Sequence, residues 1–505
     1  MTPHTMLQLV RGLSALVALG LSVGAPRSVA SQTPSPRLKV VVAVFDGLRP
    51  DHITSARTPF LDQLAARGVR SARHHSLFPT VTRVNASALA TGAHPGGHGI
   101  LDNTIFLPSV DSTRTLNTGE ASDMQRANRA LSGGLLTAPT LWQRLQPVGM
   151  RLLVSSAGSS GSAYLLAGTE GAPTINADLV APEALVGPVA RWFGPFPADA
   201  SPNLGRNARA VDALLRVGID SLNVDVAYLW LSDPDHTAHG AGLGSVMADS
   251  SIRAADREFG RLLAGLESRG LTNRVDVIVV SDHGFSTHTG DAAATRALFA
   301  PFGSAITVAG GAVHVRRGGD STRAAVVKAL QASTQVGAVF TAPLSAAQRD
   351  RGTVPGTLSY ASIGWQHPRS ADVLFSADWS HEINAGGHAG STKQSGVAGH
   401  GTSSPYDIVA TFVAAGPHIA PAREAPLPSS NADIVPTVLH LLGLPPTPTG
   451  VTGRPLLELL RDGKAAAPRL SRDSVVAEVP GYRTTLYRTQ VNGVSYFDST
   501  RTQRR

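Results

Sequence analysis

Three apolar segments of this chain each end in a polar cluster that contains aspartate, and this pattern restricts the fold more than any other feature. The segments are rich in β-branched residues and lie at 38–45, 224–231 and 275–280. Such runs are typical of strands that are buried on both faces of a parallel sheet. Helical patterns alternate with them, the longest at about 245–269. The sequence therefore predicts an α/β fold with a doubly wound, mostly parallel sheet and an active site along one edge.

The remaining chain is organised around this core. From about residue 287 short strand-like pieces flank one helical segment, 321–331, which we interpret as a smaller inserted α+β subdomain that caps the site. Residues 157–202 are rich in Ala, Gly and Pro and are predicted to be irregular, and the polar tail is predicted to fray at its end. The predicted boundaries are 1–30 for a signal peptide, 31–36 for a linker, 37–286 for the first part of the catalytic core, 287–395 for the inserted cap subdomain, 396–463 for the second part of the core and 464–505 for a C-terminal tail.

The first of these segments predicts export. Arg11 precedes a short apolar run without acidic residues, and Ser28-Val29-Ala30 provides a small-residue cleavage site. Pro26 and Arg27 interrupt the run before it is long enough to cross a bilayer. We therefore expect a periplasmic or secreted protein with no membrane span after signal cleavage.

Composition narrows the classes of function. The chain has no cysteine, which excludes a disulfide framework, a thiolate metal site and a cysteine nucleophile. The formal net charge is +8. An Arg-rich surface is the simplest interpretation of this charge, and a role in attracting anionic substrates is the alternative. Basic residues are scattered, and the sequence has no basic stripe with interleaved aromatic residues. Dedicated nucleic-acid binding is therefore not predicted. The oligomeric state is left open.

The stretch 78–103 carries a candidate nucleophile. Thr82 lies in a Pro- and Thr-rich turn just before an Ala/Leu run, 86–90, that predicts a helix. The free N–H groups and the positive end of a helix suit this position to an anion, although a threonine there is also a common N-cap. Asn85, one turn further on, adds a side-chain donor, and residues 92–99 are predicted to be loop.

The polar residues at the strand ends form a candidate metal site. Carboxylates and imidazoles together are ligands that suit Zn²⁺, and Mn²⁺ is also compatible. Six such ligands divide into two sites of three, and two metals side by side can clamp the attacking and leaving oxygens of a phosphoryl transfer. A metal on the threonine would also lower its hydroxyl pKa. The candidate residues are Asp46, Thr82, Asp235, His239, Asp282, His283 and His400.

Seven motifs spread over most of residues 38–460 carry a family resemblance. They are FDGLRPD (45–51), FPTVTRVN (78–85), TGAHPGGHGILDN (91–103), DPDHTAH (233–239), SDHGF (281–285), GHGTSSPYDIVATFVAAGP (399–417) and ADIVPTVLHLLGLP (432–445). In this order they resemble the nucleotide pyrophosphatase/phosphodiesterase (type I phosphodiesterase) family of the alkaline phosphatase superfamily. The resemblance implies an alkaline phosphatase-like fold and a hydrolase with two Zn²⁺ ions that acts on small phosphate esters, nucleotides among them.

The resemblance also assigns roles to residues. It implies that one metal is held by Asp235, His239 and His400, and the other by Asp46, Asp282 and His283. Thr82 would be the nucleophile that forms a phospho-threonine intermediate, and Asn85 would contact a non-bridging phosphate oxygen. Asn103 is a further candidate substrate contact.

One position departs from the family. Members that cleave nucleotides commonly carry an aromatic residue after the nucleophile, where this chain has Arg83. Trp230 offers an alternative stacking face for a base, or else a core aromatic on a buried strand. Recognition of nucleobases is therefore not implied, and Arg83 would bind a second anionic group or face solvent.

Three activities remain open on this pattern. A metal-dependent phosphodiesterase is the first, and a phosphomonoesterase or phosphonate hydrolase on the same site is the second. The second needs an extra positive group, for which Arg83 and Lys393 are the candidates. A catalytically silent metal- or polyanion-binding protein is the third, and it predicts a missing ligand or nucleophile where none is missing. Sulfatase activity of the usual kind is not predicted, because the motif of that family is Cys-x-Pro-x-Arg and this chain has no cysteine.

Overall fold

The strand Val40–Phe45 lies in the middle of the main sheet. In the computed structural model, which describes residues 36–169, 171–463 and 468–505, it pairs in parallel with Asp276–Val280 on one side and Val226–Leu231 on the other. The described strands follow across this sheet in the order Arg423–Glu424, Val69–Arg70, Phe412–Ala415, Asp276–Val280, Val40–Phe45, Val226–Leu231, Leu152–Ser156, Thr174–Asn176 and Leu179–Ala181. The predicted signal peptide, and the linker up to residue 35, lie outside the described residues.

Helices cover both faces of this sheet because successive strand residues point to opposite sides. Val41 and Phe45 pack on one face with residues of Pro59–Arg67, Leu204–Ala213 and Val246–Glu267. Val40 and Val44 pack on the other face with residues of Thr82–Thr91, Leu141–Leu145, Ser160–Ala167 and Ile434–Leu441. The doubly wound α/β arrangement predicted from the sequence is therefore confirmed.

A second sheet lies within residues 306–377. Its described strands follow in the order Ile306–Ala309, Ala312–Val315, Val373–Ala377, Val336–Thr341 and Leu358–Ser359. The helix Gly319–Ala332 packs on this sheet through Val326, Val327 and Leu330, since these side chains share a core cluster with strand residues such as Val313. The helix Ala292–Phe299 precedes the sheet.

A small sheet joins the main sheet to the loop that carries His400. Ser286–His288 follows the strand Asp276–Val280 and pairs antiparallel with Ala398–Gly399. Ala389–Thr392 and Trp379–Ile383 complete this small sheet among the described residues. The pairing fixes His400 beside the end of a central strand although more than a hundred residues separate them in sequence.

Three sequence expectations need correction. The segment 157–202 is not irregular, because it contains the buried helix Ser160–Ala167, two sheet strands and the helix Val186–Phe193. The loop 92–99 includes a short helical turn at Pro95–His98. The tail is not frayed, because Leu470–Val479, Tyr482–Val491 and Val494–Arg504 form an antiparallel sheet. No helix in the described part of the chain combines the length and apolar character needed to cross a membrane.

Candidate metal centre

The side chains of the site lie at the carboxyl ends of the three central parallel strands. Asp46 directly follows Val40–Phe45, and Asp282 comes just after Asp276–Val280. Asp235 begins the helix Asp235–Ala241, which follows Val226–Leu231. Because these strands are neighbours, their ends meet at the same edge of the sheet. The three carboxylates are therefore brought together by topology rather than by sequence proximity.

Asp235, His239 and His400 form the first candidate ligand group, with one potential ligand atom of each lying within 4.8 Å of the others. Asp235 and His239 are one helical turn apart, and the Asp235 Oδ1 to His239 Nε2 distance is 3.1 Å. The same oxygen lies 3.2 Å from His400 Nε2. The His239 side chain is 45% exposed, so this group opens to solvent.

Asp46, Asp282 and His283 form the second ligand group and are buried, again with one ligand atom each within 4.8 Å. His283 Nε2 lies 3.1 Å from Asp282 Oδ2 and 3.5 Å from Asp46 Oδ1. The backbone N–H of Gly47 donates to the other Asp282 oxygen at 3.1 Å. The His283 and His400 rings stack with centroids 3.4 Å apart, so the two groups are adjacent.

All three histidines present Nε2 to the carboxylates. In each ring the Nδ1–H donates to a backbone carbonyl: Ala398 for His239, Thr80 for His400 and Gly284 for His283. A carbonyl oxygen can only accept, so the proton of a neutral ring is on Nδ1 and the Nε2 lone pair faces inward. Metal-binding histidines are held in this way.

The carboxylates in turn have oxygen atoms that nothing satisfies. Asp46 Oδ1, Asp235 Oδ1 and Asp282 Oδ2 are buried, and while the imidazoles are neutral and protonated on Nδ1 they accept no hydrogen bond from any described residue. A buried carboxylate without a partner is costly. Inward-facing imidazole nitrogens beside unpaired carboxylate oxygens are a donor set that fits divalent cations such as Zn²⁺.

The electrostatics of the two groups lead to the same interpretation. Burial raises the pKa of Asp46 well above its usual value, and the negative charges of Asp282 and Asp235 raise it further. Burial would also raise the pKa of Asp235, but His239 and His400 more than offset this and hold it well below its usual value. Asp46 and its carboxylate neighbours therefore repel one another, and bound cations would relieve that repulsion.

Thr82 lies beside the second group. It is the first residue of the helix Thr82–Thr91, and its side chain is almost fully buried. Thr82 Oγ1 is 3.3 Å from His283 Nε2. The hydroxyl is thus held at a helix N-terminus and next to a ligand atom, the two features that favour an ionised oxygen there.

The structure does not support the predicted contact of Asn85 with a phosphate oxygen. Its amide donates both hydrogens to backbone carbonyls, those of Leu77 at 3.1 Å and Val81 at 3.2 Å. Its oxygen accepts from the backbone N–H of Leu77 at 2.8 Å and from Asn431. Asn85 is fully buried and closes the turn before Thr82, so no donor remains for a substrate.

Asn103 has the free donor that Asn85 lacks. Its side-chain oxygen accepts the backbone N–H of Arg83 at 3.0 Å, which places its amide beside the residue after Thr82. Thr118 and Asp102 hold its backbone. Among the described residues nothing accepts a hydrogen bond from its Nδ2, so this group is available to a ligand.

Trp230 is not a stacking face for a base. The side chain is completely buried, and its indole N–H donates to Asp46 Oδ2 at 2.9 Å. Trp230 therefore orients the Asp46 carboxylate through its Oδ2 atom, a role that the sequence did not indicate. Thr80, whose carbonyl orients His400, was missed as well, although it lies in the same short motif as Thr82.

Arg83 and Lys393 occupy different places. Burial lowers the pKa of the Arg83 guanidinium, and the charges of Asp46, Asp235 and Asp282 oppose that shift. The positive charge of Lys393 acts instead on Asp378, where it opposes the burial that raises the pKa of that carboxyl. The backbone N–H of Lys393 also donates to the Asp378 carbonyl at 2.7 Å, so of the two candidates only Arg83 directly adjoins Thr82 and interacts with the charges of the candidate ligand carboxylates.

Solved structures share this fold. Murine ectonucleotide pyrophosphatase/phosphodiesterase 5, an inactive variant in complex with AMP, aligns at a TM-score of 0.58 and 19% identity, over 81% of this chain and 96% of that one. A mutant of the alkaline phosphatase PafA aligns at a TM-score of 0.62 and 18% identity, over 85% and 99%. The chain thus has an alkaline phosphatase-like fold.

Sequence comparison identifies the family of this chain. The family profile described as type I phosphodiesterase / nucleotide pyrophosphatase matches residues 40–403, more than half of the chain. The chain belongs to this family, as its motifs predicted.

Venom phosphodiesterase CdcPDE of Crotalus durissus collilineatus is 28% identical over 273 residues, which are 52% of this chain and 28% of that protein. Ectonucleotide pyrophosphatase/phosphodiesterase family member 3 of Mus musculus is 24% identical over 251 residues, 48% of this chain and 24% of that protein. The matched region is therefore only about a quarter of each relative.

Proposed function

We propose that this protein is an exported two-metal hydrolase that cleaves phosphodiester or pyrophosphate bonds, with Thr82 as its nucleophile. The observation that carries the proposal is the pair of three-ligand groups with Thr82 Oγ1 3.3 Å from a ligand atom of one of them. Family membership supports the bond type, and the names of relatives include a venom enzyme and an ectonucleotidase. Export rests on the signal-like sequence of residues 1–30.

Asp235, His239 and His400 would hold one metal ion, and Asp46, Asp282 and His283 the other. Zn²⁺ suits this set of ligands, and Mn²⁺ is compatible with it. When bound, two divalent cations supply positive charge at the attacking and leaving oxygens. The inserted segment 287–395 would cover the site and restrict the substrates that reach it.

The residues of the chain then have separate tasks. Thr82 gives its hydroxyl proton to solvent and its Oγ attacks phosphorus in line, while the bond from phosphorus to the leaving oxygen breaks and that oxygen departs with the electron pair and takes a proton from water. Asn103 Nδ2 donates to a non-bridging oxygen of the phosphoryl group. Water attacks the resulting phospho-threonine, gives one proton to the departing Thr82 Oγ and passes the other to solvent.

The direct test is a rate comparison on purified protein without residues 1–30. Bis(p-nitrophenyl) phosphate would be incubated with added zinc, after chelation, and after chelation followed by zinc. We expect hydrolysis that chelation removes and zinc restores. Zinc-independent hydrolysis would contradict the metal mechanism. No hydrolysis of this diester or of p-nitrophenyl phosphate, with two metals bound, would favour the silent binding protein.

Metal affinity should depend steeply on pH. The charge of Asp235 raises the pKa of His239 to about 9 in the metal-free protein, against the opposing effect of burial. Below that pH a metal must displace the proton on His239, so the apparent zinc affinity should fall about tenfold per pH unit. Competition with a chromophoric chelator between pH 6 and 9, corrected for the protonation of the chelator, measures this. An affinity that does not change with pH would contradict the assignment of His239.

Replacing Trp230 with phenylalanine should weaken the second metal site. The substitution keeps an aromatic ring but leaves Asp46 Oδ2 without its indole donor. Loss of such a supporting hydrogen bond lowers metal affinity by roughly tenfold or more. Zinc titration of Trp230→Phe measures it. Trp365→Phe is the matched control, since that buried indole donates to the Leu101 carbonyl instead. Equal zinc affinities for the two variants would refute the role.

A further inference from the structure

The Arg83 guanidinium is an unpaired cation beside the candidate metal centre. Its backbone is fixed, because Arg83 lies in the first turn of the helix that begins at Thr82 and its N–H donates to Asn103 Oδ1. Its side chain makes no hydrogen bond and no ion pair with any residue in the described ranges, and its Nε is buried without a partner. Arginine is normally paired where it is buried, so this arrangement indicates an anionic ligand.

The surroundings of the guanidinium limit where that ligand can be. Nη2 lies 3.1 Å from the position that a Cβ would occupy at Gly119, so the glycine leaves room for it. The charges that act on Arg83 are those of the candidate ligand carboxylates Asp46, Asp235 and Asp282 and also that of Asp102, and none of the four forms an ion pair with it. The unpartnered guanidinium thus belongs to the residue that directly follows Thr82 in the helix, and it lies in the field of the candidate ligand carboxylates.

A count of formal charges indicates which phosphoryl group fits. While Thr82 keeps its proton, three carboxylates against two divalent cations leave one positive charge, which matches the single negative charge of a phosphodiester. Arg83 adds a second positive charge, which matches the two negative charges of a phosphate monoester above its second pKa. Guanidinium groups bind phosphate oxygens through short, charge-assisted hydrogen bonds.

We propose that Arg83 binds a non-bridging oxygen of a dianionic phosphoryl group and thereby makes phosphate monoesters substrates of this site, in addition to diesters. The inference rests on the proposed function, because it uses the same nucleophile and metals. Thr82 gives its hydroxyl proton to solvent as its Oγ attacks phosphorus, and the ester oxygen leaves with the bonding electrons and takes a proton from water. A second water then attacks phosphorus, gives one proton to the departing Thr82 Oγ and releases inorganic phosphate. Arg83 remains charged throughout and exchanges no proton.

The test compares two substrates and one ligand. The wild-type protein, Arg83→Ala and Arg83→Gln are loaded with zinc and assayed on p-nitrophenyl phosphate and on bis(p-nitrophenyl) phosphate. Inorganic phosphate binding is measured by calorimetry, and bound metal by elemental analysis. Lys393→Ala is the matched control, because it also removes one positive charge but one that acts on Asp378.

The expected result is selective. Arg83→Ala should lose about 10- to 100-fold in kcat/KM for the monoester and in phosphate affinity, the worth of one hydrogen bond between charged groups. The diester rate should fall less than about fivefold, since a monoanion gains less from the extra charge. Arg83→Gln, which keeps donors but no charge, should behave like Arg83→Ala. Lys393→Ala should match the wild-type protein in all measurements.

Several results would overturn the inference. Equal losses on both substrates, or unchanged phosphate affinity in both Arg83 variants with two metals bound, would assign Arg83 a different role. A wild-type protein that cleaves the diester but not the monoester would refute the monoester activity and leave the proposed function intact. A protein that cleaves neither would remove the proposed function itself, so the two failures are distinguishable.

Discussion

Replacing Thr82 with alanine is expected to abolish hydrolysis and to leave both metals bound. The substitution removes the oxygen that attacks phosphorus, and it removes none of the six carboxylate and imidazole ligands. Loss of a nucleophile costs on the order of 10³-fold or more in turnover. The rate on bis(p-nitrophenyl) phosphate and the zinc content, determined on the same preparation, measure the two halves of this expectation.

The matched control for that experiment is Thr82→Ser. Serine retains an Oγ at the helix N-terminus and should retain measurable turnover. It should also form a covalent phosphoryl adduct that acid quenching traps on residue 82. Turnover of Thr82→Ala within tenfold of the wild-type rate, at equal zinc content, would eliminate the covalent mechanism.

Replacing His400 with alanine should remove one of the two metals. His400 is one of three ligands in the first group, and its Nε2 lies 3.2 Å from the carboxylate oxygen that also faces His239. Catalytic zinc sites have three protein ligands, and a site left with two holds its metal far more weakly. We expect about one equivalent of zinc after dialysis instead of about two, and at least a 100-fold loss in diester hydrolysis.

A second variant distinguishes the loss of a metal ligand from unfolding of the His400 loop. His400→Gln keeps a polar side chain of similar size but lacks the imidazole, and it should lose the same metal while retaining the melting behaviour of the metal-free wild-type protein. Two equivalents of zinc in both His400 variants would show that His400 is not a ligand. The ring of His400 also stacks on His283, so a modest weakening of the second site is part of the expectation.

The strand ends were predictable because their signals are local. A β-branched run followed by aspartate identifies both a buried strand and its carboxyl end, and parallel neighbours then bring Asp46, Asp235 and Asp282 to one edge. The fold class and the family predicted from these residues are confirmed by the comparisons. The roles of the individual site residues stay predictions.

Other features were not predictable because they depend on distant contacts. Trp230 and Asp46 are separated by 184 residues, and nothing in either motif indicates their hydrogen bond. Asn85 and Asn103 both follow Thr82 in the sequence. The backbone carbonyls of the turn accept the hydrogen bonds of the Asn85 amide, and the sequence alone does not show this. The helix Ser160–Ala167 is buried on all sides and therefore shows no amphipathic period.

The tail, in contrast, carried a signal that was overlooked. In Tyr482–Val491 the buried residues begin as an alternation of Tyr482, Thr484 and Leu486, the period of a strand with one covered face. Its basic residues suggested a frayed end, but several of them are paired. Arg488, for example, forms ion pairs with Asp350 and Asp473.

The last strand of the C-terminal sheet contacts the His400 loop, so this contact can form only after almost the whole chain has been synthesised. Thr500 hydrogen-bonds Ser403 through both its backbone N–H and its hydroxyl, and Ser403 lies 97 residues earlier, just after His400. A ribosome must therefore complete nearly the whole chain before the His400 loop acquires this brace. Nascent or C-terminally trimmed polypeptides would hold every candidate ligand, and the pairing with Ser286–His288, yet lack this additional brace on the His400 loop.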